Sequence, residues 1–180
     1  VIVMCEVMEE ESDVHHHKMK IALIFSAMRH FVAELRDRDF DVRYTKLDDP
    51  KNSGSFTGEL RRAVETMLPE RIIVTEAAEW RVLQEMGKWR EIIGLPVEIR
   101  ADDRFLCSKE EFQDWALDRR SLTMEYFYRD MRRRTGLLMN GNDPEGGRWN
   151  FDTENRKPAK PDLLRPRRSV FGLDETTTEV

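Results

Sequence analysis

Cysteine is scarce in this 180-residue sequence, with Cys5 and Cys107 the entire supply. Two thiols cannot build a disulfide framework, and an iron–sulfur cluster takes four, so a reducing cytoplasm is the expected home. Long apolar runs are missing as well. None approaches the ~18 residues that span a bilayer, and no basic-then-apolar leader precedes the first apolar stretch, so neither a membrane partner nor secretion is expected. The common chemical signatures are absent too: GxGxxG, GxxxxGK[ST], GxSxG, CxxC and HExxH. A self-contained nucleotide site therefore has no glycine-rich loop to cradle phosphate. No nucleophile–base pair has a readable spacing, so no catalytic residue is assigned.

What is present is 39% hydrophobic and 36% charged residues, enough for one packed domain with a heavily charged surface or tail. The charge is uneven. Residues 132–168 hold ten Lys or Arg against five Asp or Glu, a net of +5 in a chain of net −5, so the remainder carries −10. A basic strip of that kind can meet phosphate, although most charge runs are simply solvated.

The apolar run Val1–Val7, interrupted by Glu6, predicts a first strand. The chain opens with Val inside that strand, which leads us to expect further sequence upstream. From Asp13 to Arg38 the pattern is helical, with Ile21, Ile24, Met28, Phe31, Val32 and Leu35 assigned to one face. Phe40–Leu47 alternates as a half-buried strand does. Strand, helix and strand form a βαβ unit, so the two strands should run parallel. A loop at 47–55, a helix at 56–68 stopped by Pro69, a strand at 71–76, a helix at 80–93 ended by Gly94 and a strand at 96–100 continue the alternation. This is the grammar of an open α/β sheet. Ser108 is placed to cap a helix at 109–119, and a further helix runs from Leu122 through Arg134 to Gly136. From Asn140 the chain reads as an extended loop with X-Pro steps at Pro158, Pro161 and Pro166. The expected organisation is thus an α/β core at 1–107, a helical appendage at 108–139 and a basic, Pro/Gly-rich linker at 140–180.

Two clusters stand out. His15, His16 and His17 suggest a metal site, but successive residues diverge and no carboxylate or cysteine set completes a shell, so a helix-entry loop is the simpler reading. Glu9, Glu10 and Glu11 follow the carboxyl end of the first strand, where ligands of open α/β sheets sit; a carboxylate there can accept from a polar heterocycle or a ribityl chain. Trp80, Trp89, Trp115 and Trp149 are read as core rather than as an electron-hopping chain.

Certain stretches are more specific than any composition. Met4-Cys-Glu-Val-Met8, His16-His-Lys-Met-Lys-Ile-Ala22 and Phe25-Ser-Ala-Met-Arg-His-Phe31 form one group. Asn52-Ser-Gly-Ser-Phe-Thr-Gly-Glu59, Thr75-Glu-Ala-Ala-Glu-Trp-Arg81, Leu122-Thr-Met-Glu-Tyr-Phe-Tyr-Arg129 and Gly146-Gly-Arg-Trp-Asn-Phe-Asp152 continue it. Together they resemble the prokaryotic photolyase-related family, the iron–sulfur bacterial cryptochromes and photolyases, over essentially the whole chain. The resemblance implies a flavodoxin/Rossmann-like open parallel sheet with flanking helices, lacking here its first, central strand. That strand would lie between those at 1–7 and 71–76.

The family's role is to repair ultraviolet-damaged DNA, notably (6-4) photoproducts, by light-driven electron transfer from FAD. The FAD and a [4Fe–4S] cluster sit in a C-terminal helical domain, and this chain resembles the light-harvesting antenna domain that precedes it. The antenna chromophore is 6,7-dimethyl-8-ribityllumazine, and the resemblance implies that Cys5, Glu10 and Ile24 surround it. Cys5 would pack on the ring, Glu10 would accept hydrogen bonds from the pteridine or ribityl group, and Ile24 would wall the pocket. The partners implied are the FAD domain and damaged DNA; the 180-residue chain alone is expected to lack lyase activity. The rival reading is a stand-alone α/β module that uses 132–168 to contact nucleic acid or another protein.

Overall fold

A computed structural model describes residues 1–12, 14–152, 156, 158, 167 and 169–180. The fold class is α/β, as the alternation of patterns implies. The chain divides into two compact units: Val1–Val74 with Glu79–Ile99 and Ser169–Val180, and Thr75–Ala78 with Arg100–Arg168.

In the first unit β1 (Ile2–Cys5) lies parallel to β2 (Val42–Thr45), with Ile2 opposite Val42 and Cys5 opposite Thr45. The crossover between them contains α1 (Met8–Ser12) and α2 (Lys18–Asp37), so the predicted βαβ unit is present. Residues 8–12, expected as a loop, are helical, and the strand is four residues long rather than seven. The core joins Val32 and Leu35 of α2 to Val42, with Ile2, Met4 and Tyr44 packed around them.

The ends of α2 follow from local chemistry. His17 is the N-cap, its Nδ1 accepting from Met19 N at 3.1 Å. At the other end Asp39 adopts the left-handed conformation (φ 63°). Asp39 N then donates to Arg36 O at 2.9 Å and Phe40 N to Leu35 O at 3.1 Å, the paired bonds of a Schellman stop.

Phe25, Val32 and Leu35 are buried, whereas Ile24 and Phe31 are exposed. At about 100° per residue Ile24 and Phe31 stand only about 20° and 40° from Leu35 around the helix, so they share the predicted arc, but its flank is left uncovered at these two positions.

Further along are α3 (Phe56–Met67), β3 (Ile72–Thr75), α4 (Trp80–Met86), α5 (Trp89–Ile93) and β4 (Val97–Arg100). The single helix expected at 80–93 breaks at Gly87–Lys88. Trp80, read as core, is exposed, whereas Trp89 is buried and donates from Nε1 to Thr57 Oγ1 at 2.8 Å. β3 pairs with β4: Ile72 N donates to Pro96 O and Glu76 N to Arg100 O, so both strands advance in the same direction. Near the C-terminus α8 (Glu175–Thr178) returns to α2, with His30 Nε2 2.9 Å from Asp174 Oδ2.

In the second unit Ser108 and Glu111 form a reciprocal capping box for α6 (Lys109–Ala116). It is followed by α7 (Met124–Thr135), closed by Gly136 at φ 72°. Phe112, Trp115 and Phe127 pack ring to ring, with centroids 5.0–5.8 Å apart. A short hairpin of β5 (Met139–Asn140) and β6 (Asp143–Pro144) replaces the start of the expected loop. Among the described residues no helix is long and apolar enough to cross a membrane. Pro161 and Pro166 of the expected linker lie outside the described residues.

The sheet is interrupted. Among the described residues β1 pairs only with β2 and β3 only with β4. The donors Ile2 N and Glu6 N point toward β2, so the alternation of a strand turns the backbone groups of Val3 and Cys5 away from it. Between β1 and β3 lies a cleft of 780 Å³ lined by residues 1–5 and 71–74, Met28 of α2, Leu60, Val64 and Met67 of α3, and Trp89. Two strand edges and an apolar lining thus face one gap, an arrangement that templates pairing with other chains. The isolated 180-residue chain should therefore melt broadly, below the ~45–65 °C of ordinary mesophile domains, and associate as it does so. Calorimetry with concurrent light scattering tests this; a sharp monomeric transition above that range would refute it.

Candidate functional site

The carboxyl ends of β1 and β2 gather the polar chemistry of the first unit. Glu6, one residue past β1, is only 1% exposed. Its carboxylate accepts from Arg29 Nε (2.7 Å) and Nη2 (3.1 Å), from Tyr44 Oη (2.6 Å) and from Leu47 N (2.8 Å). Asn52 Nδ2 donates to Glu6 O at 2.6 Å and to Lys46 O at 2.8 Å, tying the 47–55 loop to the strand ends. Burial alone would push the Glu6 carboxyl up; the hydrogen bonds from Arg29, Tyr44 and Leu47 outweigh it and hold the group below its ordinary value. Burial, and then the hydrogen bond to Glu6, push the Tyr44 phenol well up.

A second buried carboxylate, Glu59 on α3, accepts from Ser53 N at 2.7 Å and pairs with Arg62, whose Nη2 also donates to Thr45 Oγ1 at 2.7 Å. Cys5 stands beside this pair. Burial, reinforced by the negative charge of Glu59 and only partly offset by Arg62, pushes its thiol up to about 12. The thiol is therefore neutral at physiological pH and presents a small, weakly polar surface.

The expected site residues are distributed as follows. Cys5 lines the cleft between β1 and β3. Glu10, on α1, is held from Arg81 Nη2 at 2.5 Å, and the same guanidinium reaches Glu79 at 3.2 Å. Ile24 stands on α2, partly exposed. Neither Glu10 nor Ile24 lines the cleft that Cys5 lines. Of the histidines, His17 caps α2 and His16 Nδ1 lies 3.2 Å from Lys20 Nζ, as expected of a helix-entry loop. Among the described residues no three His, Cys, Asp or Glu gather as a metal ion would need.

Sequence reasoning missed Glu59, Arg62, Thr45 and Asn52. It registered Glu6 only as a break in an apolar run, although a charge within a buried strand is itself the mark of a partnered one.

In the second unit a separate cavity of 910 Å³ opens beyond β3 and β4, lined by Ala77, Ala101, Phe105, Phe112 and Phe127 among others. Its ionic neighbours are spent on each other: Lys109 on Glu76 at 2.7 Å and Arg104 on Asp102 at 2.6 Å. It is an apolar hollow with a self-satisfied polar rim.

Glu6 supplies a test. Its folded carboxyl titrates below the unfolded value of about 4.3, so the stability it contributes is complete above that pH and lost as pH falls through the lowered value. Glu6→Gln leaves Arg29 buried without its counter-charge and should cost about 3–5 kcal/mol at pH 7. It should also flatten the acid limb of the stability curve. Urea unfolding between pH 3 and 7 checks both; an unchanged acid limb would show that the network is not the acid-sensitive element.

The sequence model of the family described as deoxyribodipyrimidine photo-lyase-related protein matches residues 1–180. The chain is 62% identical over 179 residues to a protein of Agrobacterium fabrum named (6-4) photolyase, an alignment covering 99% of this chain and 35% of that protein. It is 23% identical over 159 residues to an uncharacterised protein of Acanthamoeba polyphaga mimivirus, covering 83% of this chain and 76% of the viral one. The chain thus spans about a third of the length of the bacterial relative.

Proposed function

Because this chain belongs to the deoxyribodipyrimidine photo-lyase-related protein family, we propose that it is the light-harvesting part of a longer flavoprotein that repairs ultraviolet-damaged DNA. The observation that carries this reading is the 62% identity, along nearly the entire chain, to a protein named (6-4) photolyase. In this reading FAD and the [4Fe–4S] cluster belong to the part of the polypeptide that this chain does not span. Two cysteines, both free, could not ligate such a cluster.

The chromophore of the reading is 6,7-dimethyl-8-ribityllumazine, which when bound absorbs light and passes the excitation to the flavin. The residues proposed to hold it have suitable chemistry. A protonated Cys5 offers the ring a neutral, polarisable wall without a competing charge. Glu10 keeps acceptor capacity beyond its bond to Arg81, since a carboxylate has about four lone-pair positions. Ile24 offers partly exposed apolar surface. Glu6 and Arg29 fix the end of β1 and the middle of α2, and with them the backbone that carries Cys5 and Ile24. These groups bind and orient. The described residues around Cys5 include no free base, since Glu6 and Glu59 are both fully engaged.

The alternative, a stand-alone module acting through basic residues 132–168, gains no observation of its own. Arg133 is committed to Asp130, Arg132 donates to Leu138 O, and Arg129 pairs with Glu125 while all three guanidiniums lie over Trp149. Residues 153–155, 157, 159–166 and 168 of that segment lie outside the described residues.

The test is to purify the longer polypeptide with lumazine supplied and to record its visible absorbance and fluorescence. Lumazine should be retained; Ile24→Trp, which puts an indole where the ring is proposed to lie, and Glu10→Gln, which removes the charged acceptor, should each weaken retention at least tenfold while FAD content stays unchanged. Retention equal to wild type in both variants would remove these residues from the site, and failure of the wild type to take up lumazine would remove the antenna role.

A further inference from the structure

Helix α2 is apolar on two sides. Its inward side packs Phe25, Val32 and Leu35 into the core. Its outward side carries Met19, Leu23, Ala27 and Phe31, residues four apart that drift by about 40° per step and so form one continuous stripe. Met19 is 67% exposed, Leu23 69% and Phe31 48%, and Ala27 is exposed as well. A helix side that merely borders solvent usually carries charge along its length. Charges on the outward side are confined to its ends, Lys20 and Glu34. At 1.5 Å per residue the interval between them is about 20 Å long, and its only titratable group is His30, already paired with Asp174.

The stripe does not stop at the helix. The His30–Asp174 contact brings residue 174 onto this outward side, and the chain immediately before it is apolar and exposed. Val170, Phe171 and Leu173 are 82%, 88% and 77% exposed. Side chains of that size, left in water beside a second apolar strip, make a patch larger than isolated surface hydrophobes account for.

We propose that the outward side of α2, extended by Val170, Phe171 and Leu173, is the surface on which the remaining part of the same longer polypeptide docks. This rests on the reading that the chain is one portion of a longer flavoprotein. Two observations select this occupant. The bacterial relative devotes about two-thirds of its length to sequence outside the alignment, so a large body of polypeptide has to be accommodated. The stripe also carries no charge over its central part, about 20 Å, which suits a body packed on it permanently. The docking surface should be helical or extended, uncharged over its central 20 Å, with its polar groups at the rim.

The test uses single cysteines in the longer polypeptide, read by mass spectrometry after timed exposure to a maleimide. Leu23→Cys and Ala27→Cys report the stripe; Glu65→Cys, on the exposed side of α3, is the reference. Ala27→Cys adds only a sulfur, so its helix stays intact even if Leu23→Cys disturbs packing. The expected result is labelling at both stripe positions at least tenfold slower than at residue 65, independent of protein concentration. Labelling at the reference rate would overturn the proposal. So would protection that appears only as concentration rises, which would assign the stripe to a second copy of the chain. Protection that appears only on adding lipid vesicles would assign it to a membrane surface, with the same consequence. The readout needs no chromophore, so a failure of lumazine binding and a failure of docking are seen separately.

Discussion

Taking the carboxylate of Glu6 out of water would cost several kcal/mol were it alone, and the first unit is arranged so that it is not. Two donors come from one guanidinium on α2, one from the Tyr44 phenol of β2 and one from the backbone at Leu47. The four bonds join a strand end, a helix, the neighbouring strand and the loop beyond it. Arg29 then extends the network, donating from Nη1 to Glu179 O at 3.1 Å, so that the short C-terminal helix is fixed by the same cation. Removing Arg29 strands the Glu6 charge, and removing Tyr44 takes away one of its four donors, so the register of β1 against β2 and the rotation of α2 are set together. The apolar contacts of Val32, Leu35 and Val42 supply area without direction; the ion pair supplies the direction.

This division of labour explains what the sequence disclosed. Periodicity marked α2, α3, α6 and α7 and the parallel βαβ unit, because burial of a stripe or an alternating face is a local property of the string. The Ser108 cap and the Gly136 stop were readable for the same reason. Periodicity could not say how much of a helix face is covered: on α2 Ile24 and Phe31 share the arc of Leu35 but are exposed. The break at Gly87–Lys88 and the short hairpin near Asn140 were missed because each spans too few residues to carry a period.

The site was legible only in outline. The placement of ligands beyond the carboxyl ends of parallel strands directed attention to Glu9, Glu10 and Glu11; Cys5 came only from the family resemblance, and it sits where β1, β2 and α3 meet. The pairings that define the place, Glu6 with Arg29 and Glu59 with Arg62, join residues 23 positions apart in one case and one helical turn apart in the other. Only the second had a local signature, Glu three residues before Arg, and such pairs are too common on exposed helices to signal a buried one. What distinguishes these carboxylates is depth, and depth is a product of the whole fold.

The environment of Cys5 bears on the redox chemistry of its sulfur. With its thiol pushed up to about 12, chiefly by burial, the sulfur stays protonated at neutral pH. The thiolate is the form that attacks peroxide and that gives up an electron readily, so a sulfur kept protonated reacts slowly by both routes. Two things keep the proton in place: the depth of the strand end and, after it, the negative charge of Glu59.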